Sequence, residues 1–341
     1  MDTALIKSER TLSFMSVSNH LLVAKELFKY NNPTVVRLIQ DARRVLHRSH
    51  TANENEALPF WSVFLIYKCT TDCPYCVQNY SFKNDRTDSP LKGSLPPESW
   101  LRLNDLPNKP EGLVVTGGEP FLYKKLADVL LGLTEFKQIQ VVTNLNIDPS
   151  IVVERLSKVT TPKVSFECSY HEESIEFGTF LTRAIMIKKA GMLGSVRVID
   201  IDPSRTKRYI KDFALHGIKI HSLDQIGVDG DEVLVLGNLE ASNLVRKPPV
   251  LCKTKLTLFA PNGDVYNCHT KLYWADKAAS FGNVTTGFNI PEDYLSCSDY
   301  GFCQPCQIGY MDVKTDIPKE AVAAGLRILP SNPPPTVVQS R

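Results

Sequence analysis

Phe60-Trp61-Ser62-Val63-Phe64-Leu65-Ile66-Tyr67 runs directly into Lys68-Cys69-Thr70-Thr71-Asp72-Cys73-Pro74-Tyr75-Cys76, and this junction decides the fold. The first half is a short aromatic and β-branched run with the texture of a buried strand. The second half sets three cysteines in a C-x3-C-x2-C pattern on the loop that follows, so one loop presents three thiolates to one point. In parallel α/β sheets, sites are built in this way at the C-terminal ends of strands. Three is the informative number. Four cysteines close an iron–sulfur cubane, whereas three leave one iron with an open position, as catalytic zinc sites also do. On the residues alone, a zinc knuckle or fortuitous spacing remains the alternative.

Downstream of the junction, strand-like runs recur at Gly112 to Thr116, Ile139 to Thr143, Lys163 to Ser169 and Val196 to Ile201. The segments between them, such as Leu126 to Phe136 and Phe180 to Ala190, are long enough for helices. Such alternation indicates βα units on a parallel sheet, either an open doubly wound one or a barrel. Upstream, residues 16 to 48 read as helical, with Val35, Val36, Leu38, Ile39 and Ala42 at helical spacing and Asn31-Asn32-Pro33 breaking the run. From about Asp231 the texture changes to short strand candidates, loops and five of the nine cysteines, as in a small domain ordered partly by metal.

Charge and targeting signals narrow the function classes. Thirty-nine basic residues against 37 acidic ones give a net charge of +2, which recruits neither nucleic acid nor an anionic membrane. Arg43-Arg44 and Lys247 are isolated and form no basic stripe. The start shows no basic region leading into an apolar run, and no stretch approaches the ~18 apolar residues of a membrane span. A cytoplasmic protein is expected, and in a reducing compartment an odd set of nine cysteines serves metal better than disulfides.

Forty residues after the cysteine loop comes Thr116-Gly117-Gly118-Glu119-Pro120, at the end of the second strand candidate. Paired glycines permit a tight turn and close backbone approach to a ligand, although alone they would mark an ordinary turn with a solvated carboxylate. Taken together, Cys69-Thr-Thr-Asp-Cys73-Pro-Tyr75-Cys76 and Gly117-Gly118-Glu119 one βα unit later resemble the radical S-adenosylmethionine (SAM) superfamily.

The resemblance implies an α/β fold, a partial (β/α)6 TIM-like barrel. It implies a [4Fe–4S] cluster on Cys69, Cys73 and Cys76, with the amino and carboxylate groups of SAM on the open iron. One electron, from a flavodoxin- or ferredoxin-type donor, then cleaves SAM to a 5′-deoxyadenosyl radical. By the same resemblance Gly117, Gly118 and Glu119 bind the amino group of SAM and Tyr75 lies against the adenine. Thr143 and Asn144, in Val141-Val142-Thr143-Asn144, and Ser165, in Val164-Ser165-Phe166-Glu167, hold the ribose and the amino-acid part. Period two sets Ser165, Glu167 and Ser169 on one face of their strand and Phe166 and Cys168 on the other, so that Cys168 packs against a helix and is inert. Candidates for catalysis are Glu167, where the family often has Asp, and His171 at the rim of the same strand. For His171 the plainer reading is a surface or loop residue.

Cys252 and Cys268 flank Pro261-Asn262-Gly263-Asp264, a hairpin-turn signal between Leu256-Thr257-Leu258-Phe259 and Val265-Tyr266-Asn267. Cys303-Gln304-Pro305-Cys306 supplies a second pair. Four thiolates suit a closed cluster and a structural zinc equally well. The order Cys252, ten residues, Gly263, four residues, Cys268, followed by C-x2-C, resembles the twitch form of the SPASM extension of radical SAM enzymes. This implies one auxiliary [4Fe–4S] cluster on Cys252, Cys268, Cys303 and Cys306, with Cys297 in reserve or a spare buried thiol. The expected division is a helical segment over 1–55, the radical SAM partial barrel over 56–230, a small β-hairpin/α iron–sulfur domain over 231–320 and a proline-rich tail over 321–341. The expected activity is hydrogen abstraction from a small-molecule biosynthetic substrate, the auxiliary cluster accepting an electron or anchoring the substrate. Peptide modification and transfer of another SAM fragment are the alternatives within the class. A non-catalytic zinc or iron–sulfur redox or interaction protein is the alternative outside it, and leaves the βα alternation and Gly117-Gly118-Glu119 without purpose.

Overall fold

The run Phe60–Ile66 forms β1, the first of six parallel strands. The computed structural model describes residues 60–73, 76, 78, 93–160, 163–200, 203–224, 227–229, 232–234, 248–301, 303 and 310–315, all within one compact unit, Ala57–Arg341. The helical reading of 16–48, the tail, Tyr75 and Cys306 lie outside the described residues.

After β1 the chain runs through α1 (Pro97–Leu101), β2 (Gly112–Gly117), α2 (Leu126–Gly132), β3 (Gln138–Thr143), α3 (Ser150–Leu156), β4 (Lys163–Tyr170), α4 (Phe177–Lys189), β5 (Leu193–Asp200), α5 (Pro203–Ala214) and β6 (Ile220–Asp224). The strands lie in the order β1-β2-β3-β4-β5-β6, and every pairing is parallel. A doubly wound sheet reverses its strand order at a switch point. No reversal occurs here, so of the two architectures the sequence allowed, the chain adopts the partial TIM-like barrel. A segment holding a helix between parallel neighbours supplies each crossover.

The helix-facing side of the sheet is apolar and fully buried: Leu113 and Val115 of β2, Ile139 and Val141 of β3, Phe166 and Cys168 of β4, and Val196 of β5. Phe180, Ala184 and Ile187 of α4 complete this core. The helix itself begins where the Glu176 carboxylate accepts the Gly178 and Thr179 amides at 2.8 and 2.7 Å, and ends with Lys188 and Lys189 in its last turn, both favourable to the helix dipole. Tyr170, Phe177, Phe180, Tyr209 and Phe213 stack in one aromatic group that fixes α4 and α5 against β4.

The expected hairpin is present as β10 (Leu256–Phe259) and β11 (Val265–Tyr266). It is continuous with the barrel sheet: β10 pairs in parallel with β1, Val63 opposite Phe259, and β11 pairs antiparallel with β10. Trp61 of β1 meets the rings of Phe136, Phe259 and Phe288 at this seam. Short strands β7 (Gly227–Asp229) and β8 (Glu232–Leu234) precede a second, antiparallel sheet. In it β9 (Val250–Thr254) lies between β14 (Leu295–Cys297) and β15 (Met311–Lys314). Between these come α6 (His269–Tyr273), β12 (Gly282–Asn283) and β13 (Gly287–Phe288). Among the described residues no helix is long and apolar enough to cross a membrane.

Candidate metal centre and active site

The cysteine loop curls because its own side chains hold it. The sulfurs of Cys69 and Cys73 lie 3.3 and 3.4 Å from the Thr71 hydroxyl, and the Cys76 amide donates to the Cys73 carbonyl at 3.1 Å. Polar side chains that follow two other strands approach these thiols. Asn144, just after β3, sends Nδ2 to Thr70 Oγ1 at 3.0 Å and to Cys69 Sγ at 3.6 Å. His171, just after β4, brings Nδ1 to 3.7 Å from Cys73 Sγ. Cys73, His171 and Glu173 place ligand atoms within 4.8 Å of one another, the one such group among the described residues. Burial holds the His171 pKa below its ordinary value, so the ring is neutral at pH 7. An N–H such as that of Asn144 suits metal-bound sulfur, whose charge it would partly offset.

The glycine turn locks onto the same loop. Gly118 and Glu119 donate their amides to the carbonyls of Ile66 and Lys68 at 2.8 and 2.9 Å. A Cβ at Gly118 would stand 2.1 Å from the Lys68 carbonyl oxygen, and one at Gly117, whose φ is +131°, 2.2 Å from that of Ile66. Both contacts are impossible for a side chain, which is why this approach of β2 to β1 requires glycine. Gln78 closes the turn from the far end of the cysteine loop, donating Nε2 to the Gly117 carbonyl at 2.7 Å. Nothing in the sequence singles out this glutamine.

Glu119 is fully buried. Its Oε1 accepts from the Phe121 amide at 3.0 Å and the Thr143 hydroxyl at 2.9 Å, and Oε2 accepts from the Asn144 amide at 2.8 Å. Burial nevertheless pushes its pKa up to about 7, against the pull of these donors. No cation pairs with it among the described residues. Thr143 and Asn144 therefore hold Glu119, and Asn144 also holds the cysteine loop. One hydrogen-bonded chain joins Cys69, Asn144 and Glu119. Leu145, next in line, is buried at a left-handed φ of +56°, and Arg183 of α4 donates to its carbonyl at 2.6 Å.

Glu167 points to the polar side of the sheet, as period two requires, and is buried there. Ser195 donates to its Oε2, from which Arg197 Nη2 stands 3.5 Å away. Ser195 and Arg197 alternate along β5 opposite Glu167 and Ser169, a period-two signal legible only once the register is known. Ser165 pairs with Gln140, about 7 Å below the Glu167 level at the usual rise per residue, so the fold does not bring it to the rim with Thr143 and Asn144. Cys168 lies in the helix-facing core, its thiol pKa raised far by burial, the inert role expected of it.

No protein-family model matches the sequence, and no curated relative does. Among solved structures, Streptococcus suis SuiB bound to precursor peptide SuiA aligns with a TM-score of 0.48 and 14% identity over 74% of this chain and 68% of that one. SuiB bound to S-adenosylmethionine aligns at 0.43 and 14% over 76% and 70%. These are distant likenesses.

A second group of thiols lies in the C-terminal region. Cys252 is in β9, Cys268 immediately precedes α6, and Cys303 is buried against Val250 and Tyr300. Cys297, at the end of β14, packs against the same three residues.

Proposed function

We propose that this protein is a radical SAM enzyme, with its catalytic [4Fe–4S] cluster on Cys69, Cys73 and Cys76. The observation that carries this reading is the hydrogen-bonded chain from Cys69 through Asn144 to Glu119, which ties the three-thiol loop to the glycine turn. The residues fit the cofactors. Asn144 Nδ2 and His171 Nδ1 stand beside two of the thiols, and the absence of side chains at Gly117 and Gly118 lets the glycine turn pack directly on the backbone that leads into the cysteine loop. When bound, the reduced cluster and SAM supply a 5′-deoxyadenosyl radical that takes a hydrogen atom from the substrate.

The chain's own residues position, exclude water and carry charge. Glu119 is a buried carboxylate lacking a cation, and a ligand ammonium group would hold it ionised at neutral pH. Thr143 and Asn144 act through Glu119 as positioning residues. Glu167, Ser195 and Arg197 put one acid and one cation on the polar side of the sheet, which suits a small polar substrate. The C-terminal thiols would hold an auxiliary cluster, which would supply an electron acceptor or an anchor for the substrate and so suit a net oxidation or bond formation. The electron donor is of the flavodoxin or ferredoxin class, and the setting cytoplasmic.

The test is formation of 5′-deoxyadenosine by anaerobically reconstituted protein with SAM and reductant. Cys73→Ala is expected to abolish it while the C-terminal metal is retained. A wild-type yield no greater than that of Cys73→Ala, at full iron content, would exclude the reading.

A further inference from the structure

The sequence pairs Cys303 with Cys306 as ligands and leaves Cys297 spare. The sheet around β9 points elsewhere. In the antiparallel pairing of β14 with β9, Leu295 stands opposite Cys252 and Cys297 opposite Val250. Directly opposed residues share a face, and so do residues two apart, so Cys297 and Cys252 lie on one face as diagonal neighbours. On its other side Cys252 is opposite Val313 of β15, and this face is covered by Tyr300 and Cys303.

Two ties bring Cys268 to the same place. Thr254 of β9 donates to the Asn267 carbonyl at 2.6 Å, fixing the residue before Cys268 to the strand that carries Cys252. Lys271 of α6 is buried and bonds both Asp276, at 3.2 Å, and Asp299, two residues past Cys297. The ion pair with Asp299 clamps the Cys297 segment onto the helix that Cys268 begins.

We propose that Cys252, Cys268, Cys297 and Cys303 are the four ligands of the auxiliary iron–sulfur cluster. This rests on the auxiliary centre of the proposed function, but on no property of the first cluster. The experiment therefore uses a Cys69→Ala/Cys73→Ala/Cys76→Ala background, in which bound iron reports the C-terminal site alone. Cys297→Ala in that background is expected to lose about four irons per chain, while Cys306→Ala keeps them. Retention of iron in Cys297→Ala, or its loss in Cys306→Ala, overturns the assignment. To separate ligand loss from misfolding, Cys297→Ala is also made with the first loop intact, where the first cluster's irons should remain. Cys297→Ser should change the electron paramagnetic resonance signal of the reduced auxiliary cluster, as a spare thiol would not. If the wild type binds no more iron than the triple-alanine protein, the radical SAM reading fails, and the Cys297 and Cys306 variants still decide the ligand set.

Discussion

At the scale of the residue, Glu119 concentrates the physics of the site. Its carboxyl has a folded pKa of about 7 against a free value of 4.5, because burial penalises the charge more than three donors repay it. Below pH 4.5 both folded and unfolded chains hold the proton. Between 4.5 and 7 the folded chain keeps a proton that the unfolded chain has lost, so stability falls as pH rises, by up to about 3 kcal/mol, and levels off above 7. Urea unfolding of SAM-free protein from pH 5 to 8 should show this slope, and Glu119→Gln should lack it. Equal slopes would mean that the amides of Phe121 and Asn144 already hold the carboxylate ionised. SAM should flatten the wild-type slope if its ammonium group meets Glu119.

At the scale of the element, α6 is a five-residue helix too short to stand on its own hydrogen bonds. Its place is set by what it buries. Leu272 and Tyr273 pack into the cluster of Phe64, Leu258 and Tyr266, and Lys271 reaches Asp276 and Asp299. Removing one partner of a buried ion pair strands the opposite charge, at a cost of about 3–5 kcal/mol. Lys271→Met should therefore lower the thermal midpoint sharply and loosen the Cys297 segment, read as faster loss of the auxiliary iron to a chelator. Unchanged iron retention would show that Asp299 does not hold the segment.

At the scale of the whole molecule, the seam between β1 and β10 makes the barrel and the C-terminal hairpin one sheet. Phe259 is fully buried at that seam against Trp61 and Phe288. Truncation to Ala should cost about 3–5 kcal/mol, from lost transfer energy and the cavity left behind. Urea unfolding followed by tryptophan fluorescence and by far-UV circular dichroism should shift together; separate transitions would mean that the hairpin folds apart from the barrel. Much of the architecture was open to reading in one dimension. The strand at Phe60, the three-cysteine loop and the glycine turn announce themselves because strand texture, ligand spacing and backbone freedom are local properties. Period two by itself sets Glu167 and Cys168 on opposite faces of their strand. Sequential strand order, the pairing of β10 with β1, and the meeting of Gln78 with Gly117 or Arg197 with Glu167 depend on register between segments distant in the chain. Cys297 shows the same limit, since sequence spacing ranks cysteines by their neighbours in the chain, whereas antiparallel pairing ranks them by their neighbours across the sheet. The sequence by itself determined which chemistry is present and on which loops it sits; only the tertiary structure decided which side chains share a face, because register is set by packing and not by local order.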